Sequence, residues 1–231
     1  MTIEENVKHI KAQITQAAIE AGRDPKEILL CAATKMNDAE RVRQAISAGV
    51  DCCGENRVQE LTVKQAQDAY RGAPVHFIGH LQTNKVKQVV GKVDLIQSVD
   101  SRRLVEAIEK EAAKLGIIQD ILLEVNIANE ESKSGFTPNE VHEILAQMTD
   151  YPHIHVLGLM SIPPICHFSG ENNKFFQEMY NLSVDITAKK YDNVSVKILS
   201  MGMSGDFVDA IRCGSTMIRV GTAIFGARDY K

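Results

Sequence analysis

Two rhythms of apolar spacing alternate along the chain. In the first twenty residues Ile3, Val7, Ile10, Ile14 and Ala17/Ala18 recur at helical spacing. Thr2 and Glu5 are placed as a capping box, and Gly22 as the stop. From residue 28 a different signal takes over. Short apolar runs without a helical stripe read as strands buried on both faces, as parallel sheets require. Eight such runs occur, at 28–35, 50–56, 75–81, 95–100, 121–127, 156–162, 196–201 and 216–220, each bounded by Gly, Pro, Asn, Asp or Ser. Amphipathic stretches lie between them, clearest at 39–48, 58–70, 104–115 and 141–148. The last is introduced by Thr137-Pro138-x-Glu140, a capping box with Pro at the first helical position.

Eight strands alternating with helices predict an α/β fold, a single (β/α)₈ TIM-type barrel spanning 1–231 as one domain, with an extra N-terminal helix. After the eighth strand only residues 221–231 remain, too few for a full crossover helix. The surplus N-terminal helix is expected to cover that part of the wall. The runner-up, an open doubly wound sheet, lacks a Gly-rich fingerprint after its first strand, where Thr34-Lys35-Met36-Asn37 stands.

Charge and composition remove several function classes. A net charge of −4 and 5% aromatic residues with no Trp argue against a nucleic-acid partner. No apolar run reaches membrane-spanning length, and the N-terminus lacks the layout of a signal peptide. The five cysteines, Cys31, Cys52, Cys53, Cys166 and Cys213, are odd in number and form no CxxC. They read as reduced residues of a cytoplasmic protein, with neither a disulfide framework nor a metal site. His153 and His155 share a strand face without a third ligand nearby in sequence. With no heptad seam or obvious apolar patch, a monomer is expected.

The chemistry collects at strand ends. Lys35, Asn56, His80, Ser98/Asp100, Asn126, Ser161, Ser200 and Arg219 close the eight runs, and a barrel brings such ends to the face where active sites sit. Lys35 reads either as a desolvated, nucleophilic amine suited to a Schiff base or as a lysine snorkelling from a strand end. Arg219, between Ile218 and Val220, needs an acceptor, either a carboxylate or a cofactor ring nitrogen. The stretches 200–206 and 221–223 supply glycines and hydroxyls that suit an anion after strands seven and eight. No Gly-x-Ser-x-Gly elbow marks a hydrolase.

A strand-end lysine, a phosphate cradle and a late arginine together suggest pyridoxal 5′-phosphate (PLP). At these residues the chain resembles the PLP homeostasis protein family. The likeness is carried by Ala33-Thr34-Lys35, by 54–60 (GENRVQE), by 76–85 (HFIGHLQTNK), by 131–135 (ESKSG), by Gly158-Leu159-Met160, by 199–206 (LSMGMSGD) and by 219–226 (RVGTAIFG). The resemblance implies a barrel like the N-terminal domain of alanine racemase. It implies PLP as cofactor, held as a lysine Schiff base, with a role in intracellular vitamin B6 and amino-acid homeostasis as carrier or regulator and no demonstrated catalysis. Carried over by motif, Lys35 holds PLP, Asn56 flanks the ring, Arg219 faces the pyridine nitrogen, Ser200, Gly221 and Thr222 hold the phosphate, and Met203 lies nearby. Cys53 departs from the pattern, standing where an aromatic residue is expected.

An arginine beside the ring nitrogen weakens PLP as an electron sink, and the second acid/base of racemases comes from a domain not expected here. A non-catalytic PLP binder is therefore favoured. The alternatives are a low-activity PLP-dependent amino-acid racemase and a phosphosugar barrel enzyme. Expected partners are PLP and related B6 vitamers, and apo PLP-dependent enzymes. Lys133, placed on the rim after strand five, is a candidate for PLP transfer.

Overall fold

A computed structural model describes residues 1–130, 133–165 and 167–226. Eight parallel strands close into a barrel in sequence order: β1 (Leu29–Ala33), β2 (Cys52–Glu55), β3 (Val75–Phe77), β4 (Leu95–Val99), β5 (Gln119–Glu124), β6 (Ile154–Met160), β7 (Val194–Ser200) and β8 (Met217–Val220). The closing pair sets Leu29 against Met217 and Ala32 against Val220. Leu30, Ala32, Ile96, Ile121, Leu123, Ile218 and Val220 belong to the core shared with the helices. Two smaller clusters are formed by other strand residues, one of Cys31, Ala33, Cys52, Ile78 and Met217, the other of Leu95, Leu122 and Met160. This is the strand alternation expected of a filled barrel.

The helices are α1 (Ile3–Glu20), α2 (Ala39–Ser47), α3 (Val58–Ala66), α4 (Arg102–Leu115), α5 (Pro138–Leu145), α6 (Asn173–Lys189), α7 (Phe207–Arg212) and α8 (Thr222–Phe225). Both predicted capping boxes form, Thr2 with Glu5 and Thr137 with Glu140. α1 packs on α7, α8 and α2, so the surplus helix does seal the wall where β8 returns to β1. Its Asn6 side chain donates to the carbonyl of Ile224 at 2.8 Å. Between β3 and β4 the connection holds only a 3₁₀ turn, Thr83–Gln88.

Most predicted strands overrun the observed ones by one to four residues at their C-terminal ends. Lys35, Asn56, His80, Asp100 and Ser161 stand in the loops just beyond, and Lys35, Asn56 and His80 line cavities there. β6 carries a register shift at Gly158, where the backbone has φ +148° and an added Cβ would lie 1.9 Å from the carbonyl oxygen of Ile198. Only a residue without a side chain fits there.

Candidate functional site

Lys35 lies two residues beyond β1, at a turn where Met36 takes φ +61°. Its approach is fixed from behind by a buried network. The Thr34 hydroxyl donates to Glu55 Oε1 at 2.5 Å. Lys64 Nζ reaches the same oxygen at 2.6 Å and the Thr34 carbonyl at 2.8 Å, and Tyr70 donates to Glu55 at 2.9 Å. Glu55 is fully buried. Burial and this carboxylate together push the Tyr70 hydroxyl pKa far up, keeping it a donor.

Lys35 lines a cavity of about 400 Å³ with Ala33, Met36, Asn37, Asp38, Arg41, Gly221, Thr222, Phe225 and Gly226. Residues from the two ends of the chain thus meet because β1 and β8 are neighbours. On the Gly221 side, the Ser204 hydroxyl accepts from the backbone N–H groups of Gly221 at 3.3 Å and Ala223 at 3.4 Å. An oxygen already sits where two amides converge, which is the arrangement an anion oxygen would use.

Arg219 is buried in the barrel behind this mouth. Its guanidinium donates to the Ser200 carbonyl at 2.8 Å, the Ser200 hydroxyl at 2.7 Å and the Ser161 carbonyl at 2.8 Å. No carboxylate lies within ion-pair distance of it among the described residues. Burial lowers its pKa from the usual arginine range. Among the described residues, Asn56 Oδ1 and Ser161 Oγ are buried without a hydrogen-bond partner.

Asn56 also lines a second cavity, of about 230 Å³, with Ile78, His80, Glu124, Asn126, Lys133, Ser134 and Ile162. Lys133 pairs with Glu130 at 2.7 Å on its rim. Glu124 is pushed up to about 7, by burial first and by Asp100 second, against the pull of Arg219 and His80. His80 contacts Asp100 at 2.9 Å.

The predicted site residues therefore fall into three groups. Lys35, Gly221 and Thr222 share the first cavity; Asn56 and Lys133 share the second. Ser200 and Arg219 form a buried pair behind the mouth. Ser200 is the last residue of β7, and its hydroxyl donates to Gln97 Oε1 and accepts from Arg219, both at 2.7 Å. Met203 stands in the loop beyond, its N–H donating to Asp206 at 2.7 Å. Of the motif 131–135, residues 131 and 132 lie outside the described residues, as does Cys166.

Three features escaped the sequence reading. Glu124 hides in an apolar strand. Ser204 lies within the stretch 200–206, and only the fold brings its hydroxyl to the Gly221 and Ala223 amides. Cys31, Cys52 and His76, on three successive strands, bring their ligand atoms within 4.8 Å of one another. Interaction with Cys52 and His76 draws the Cys31 thiol down to about 6 against the cost of burial. Sequence spacing cannot reveal such a cluster. His153 and His155, by contrast, are taken up by Glu109 and Asp120, at 2.7 and 3.1 Å.

The sequence model described as "Alanine racemase, N-terminal domain" matches residues 3–229. A pyridoxal phosphate homeostasis protein of Aquifex aeolicus is 40% identical over 226 residues, 98% of each chain. The chain belongs to the pyridoxal phosphate homeostasis protein family. A solved structure of an unknown protein from Bifidobacterium adolescentis superposes with TM-score 0.89 at 38% identity, covering 96% of this chain and 94% of that one. PipY of Synechococcus elongatus PCC7942, solved with PLP bound, gives TM-score 0.84 at 30% identity, covering 97% and 100%. The predicted family and barrel both stand. Among the described residues no helix is long and apolar enough to cross a membrane.

Proposed function

We propose that this chain binds PLP at the C-terminal mouth of its barrel, anchored through Lys35, and serves B6-vitamer and amino-acid homeostasis as a cytoplasmic carrier or regulator. The observation that carries the reading is the single cavity shared by Lys35, Gly221 and Thr222, with a carboxylate-free Arg219 buried behind it. PLP needs an amine, an anion cradle and a partner for its ring nitrogen, and these groups supply all three. The unpartnered oxygens of Asn56 and Ser161 add polar capacity on the same side. When bound, PLP supplies an aldehyde for reversible capture by amines and a ring that withdraws electrons.

The chain's own groups divide the work. Lys35 provides the amine, held in place by the Thr34–Glu55–Lys64 network. The Gly221–Ala223 amides and the Ser200, Thr222 and Ser204 hydroxyls take the phosphate. Arg219 can donate but never accept a proton, so a nitrogen placed against it stays unprotonated. Ser200 and Ser161 orient that guanidinium. Lys133, across the mouth, provides a second amine for hand-over to apo PLP enzymes. The free cysteines Cys31, Cys52, Cys53 and Cys213 fit a reducing compartment.

The test is a titration of the cofactor-free protein with PLP and with pyridoxal. A visible absorption band should grow with PLP in the parent and be absent in Lys35→Ala, and pyridoxal should bind far more weakly. Equal affinity for the two vitamers would refute the phosphate placement. A second reading, a slow amino-acid racemase, is favoured by Glu124, a carboxyl poised near neutrality beside the mouth. It requires racemisation by the purified protein that is lost in both Lys35→Ala and Glu124→Gln.

A further inference from the structure

In the barrel interior Cys31 of β1 is the register partner of Cys52 on β2 and of Arg219 on β8, and His76 follows on β3. We propose that Cys31, Cys52 and His76 form a binding site for a thiophilic monovalent cation, with cuprous copper the ion whose chemistry fits. Closed-shell cations such as zinc bond thiolate sulfur and imidazole nitrogen at roughly 2.0–2.3 Å, which brings the donors to roughly 3.5–4.6 Å of one another. The three donor atoms already lie within 4.8 Å, so small side-chain rotations suffice.

Two thiolates and an imidazole are soft donors, and a thioether stands beside them. Met217 packs in the same cluster as the two cysteines, and its Sδ is 3.2 Å from Gln97 Nε2. That same amide nitrogen lies 2.9 Å from His76 Nδ1 and donates to it, so a buried group behind the ring fixes the imidazole plane and leaves the ring proton on Nε2. Gln97 continues through Ser200 to Arg219.

Charge selects the valence. Arg219 is a buried cation whose hydrogen bonds go to neutral oxygens. Two thiolates with a monovalent cation carry −1 and offset it; with a divalent cation they carry zero and leave the guanidinium uncompensated. As the two metal–sulfur bonds form, both thiols release their protons to solvent; the His76 ring proton moves from Nε2 to Nδ1, where the Gln97 amide turns its oxygen to accept it, and no oxidation state changes. Entry is from the mouth. The positions after Cys31 and Cys52 on the same strand faces are Ala33 and Gly54, and a Cβ on Gly54 would stand 3.0 Å from Cys31 Sγ and 2.7 Å from Ile78 Cδ1. The missing side chain lets Ile78 close over the sulfur, and rotation of Ile78 uncovers it.

The test is anaerobic titration of the reduced, full-length protein with cuprous ion against a chromophoric cuprous chelator. One equivalent should be withheld from the chelator. Cys31→Ala and Cys52→Ala should each weaken retention by about 100-fold or more, and His76→Asn by about tenfold or more. Cys53→Ala and Cys213→Ala should match the parent, because Cys53 belongs to the helix-side core and Cys213 is remote. X-ray absorption on the unmutated protein, which requires no variant to fold, should show two sulfurs and one nitrogen around copper. Unchanged retention in the Cys31→Ala/Cys52→Ala double variant, a shell without nitrogen, or displacement by equimolar zinc would each overturn the proposal.

Discussion

Glu55 and Lys64 bury opposite charges directly behind the anchoring lysine, their side chains 0% and 6% exposed. Removing one partner strands the other in a low-dielectric site, a change that costs about 3–5 kcal/mol. Lys64→Ala should lower the urea midpoint accordingly, and it should also loosen the Thr34–Lys35 turn and weaken PLP retention. Ser200→Ala makes a different prediction. Its hydroxyl meets Arg219 and is assigned to the phosphate, so the loss should shift the PLP absorption band, which reports the ring nitrogen's surroundings, and weaken PLP binding about tenfold or more. Unchanged affinity for PLP would remove Ser200 from the phosphate site. Lys35 and Asn56 were readable as candidates because each is a polar break just past an apolar strand, and Arg219 because it interrupts one. Glu124 was not, because one carboxylate inside Ile121–Ile127 carries no local sign that it turns inward toward Asp100. Nor was the Cys31–Cys52–His76 cluster, whose members are brought together only by barrel closure.

At the level of elements, the alternation of strand and helix was readable throughout, and the ends were not. The apolar runs continue past the last ladder hydrogen bond, because residues lining the mouth are also partly buried. α6 escaped the sequence reading: its core stripe of Phe176, Met179, Leu182 and Ile186 includes the polar Ser183, and Asn172 at its N-cap makes no side-chain capping bond. The role foreseen for the N-terminal helix is met by α1, which covers the seam between β8 and β1. Ile10, 2% exposed on that face, should cost about 2–5 kcal/mol when cut to alanine. Thermal unfolding of Ile10→Ala measures it, and a negligible loss would mean that α1 is not part of the wall. In β6, Gly158→Ala should fail to fold or unfold far below the parent, because its Cβ would meet the Ile198 carbonyl.

For the molecule as a whole, the mouth couples folding to pH. Glu124 is raised from its ordinary 4.5 to about 7. Between these values the folded chain keeps a proton that the unfolded chain has released. The contribution is therefore fully present below about 4.5 and is lost as pH rises through about 7. Urea unfolding near pH 5 and near pH 8 should show this decline, and Glu124→Gln should reduce it. Hand-over belongs to the same scale, since it needs both sides of the mouth. With Lys35 occupancy matched, Lys133→Ala should activate an apo PLP enzyme more slowly than the parent. Equal rates would leave Lys133 a rim residue paired with Glu130.

The most direct measurement of the central claim is borohydride reduction of the PLP-loaded protein followed by peptide mass mapping. The visible band should vanish on reduction, and the mass of the reduced cofactor should appear on the peptide containing Lys35, at near-stoichiometric yield. Label carried at high occupancy by another lysine, with the Lys35 peptide unmodified, would contradict the assignment of the barrel mouth beside Gly221 and Thr222 as the cofactor site.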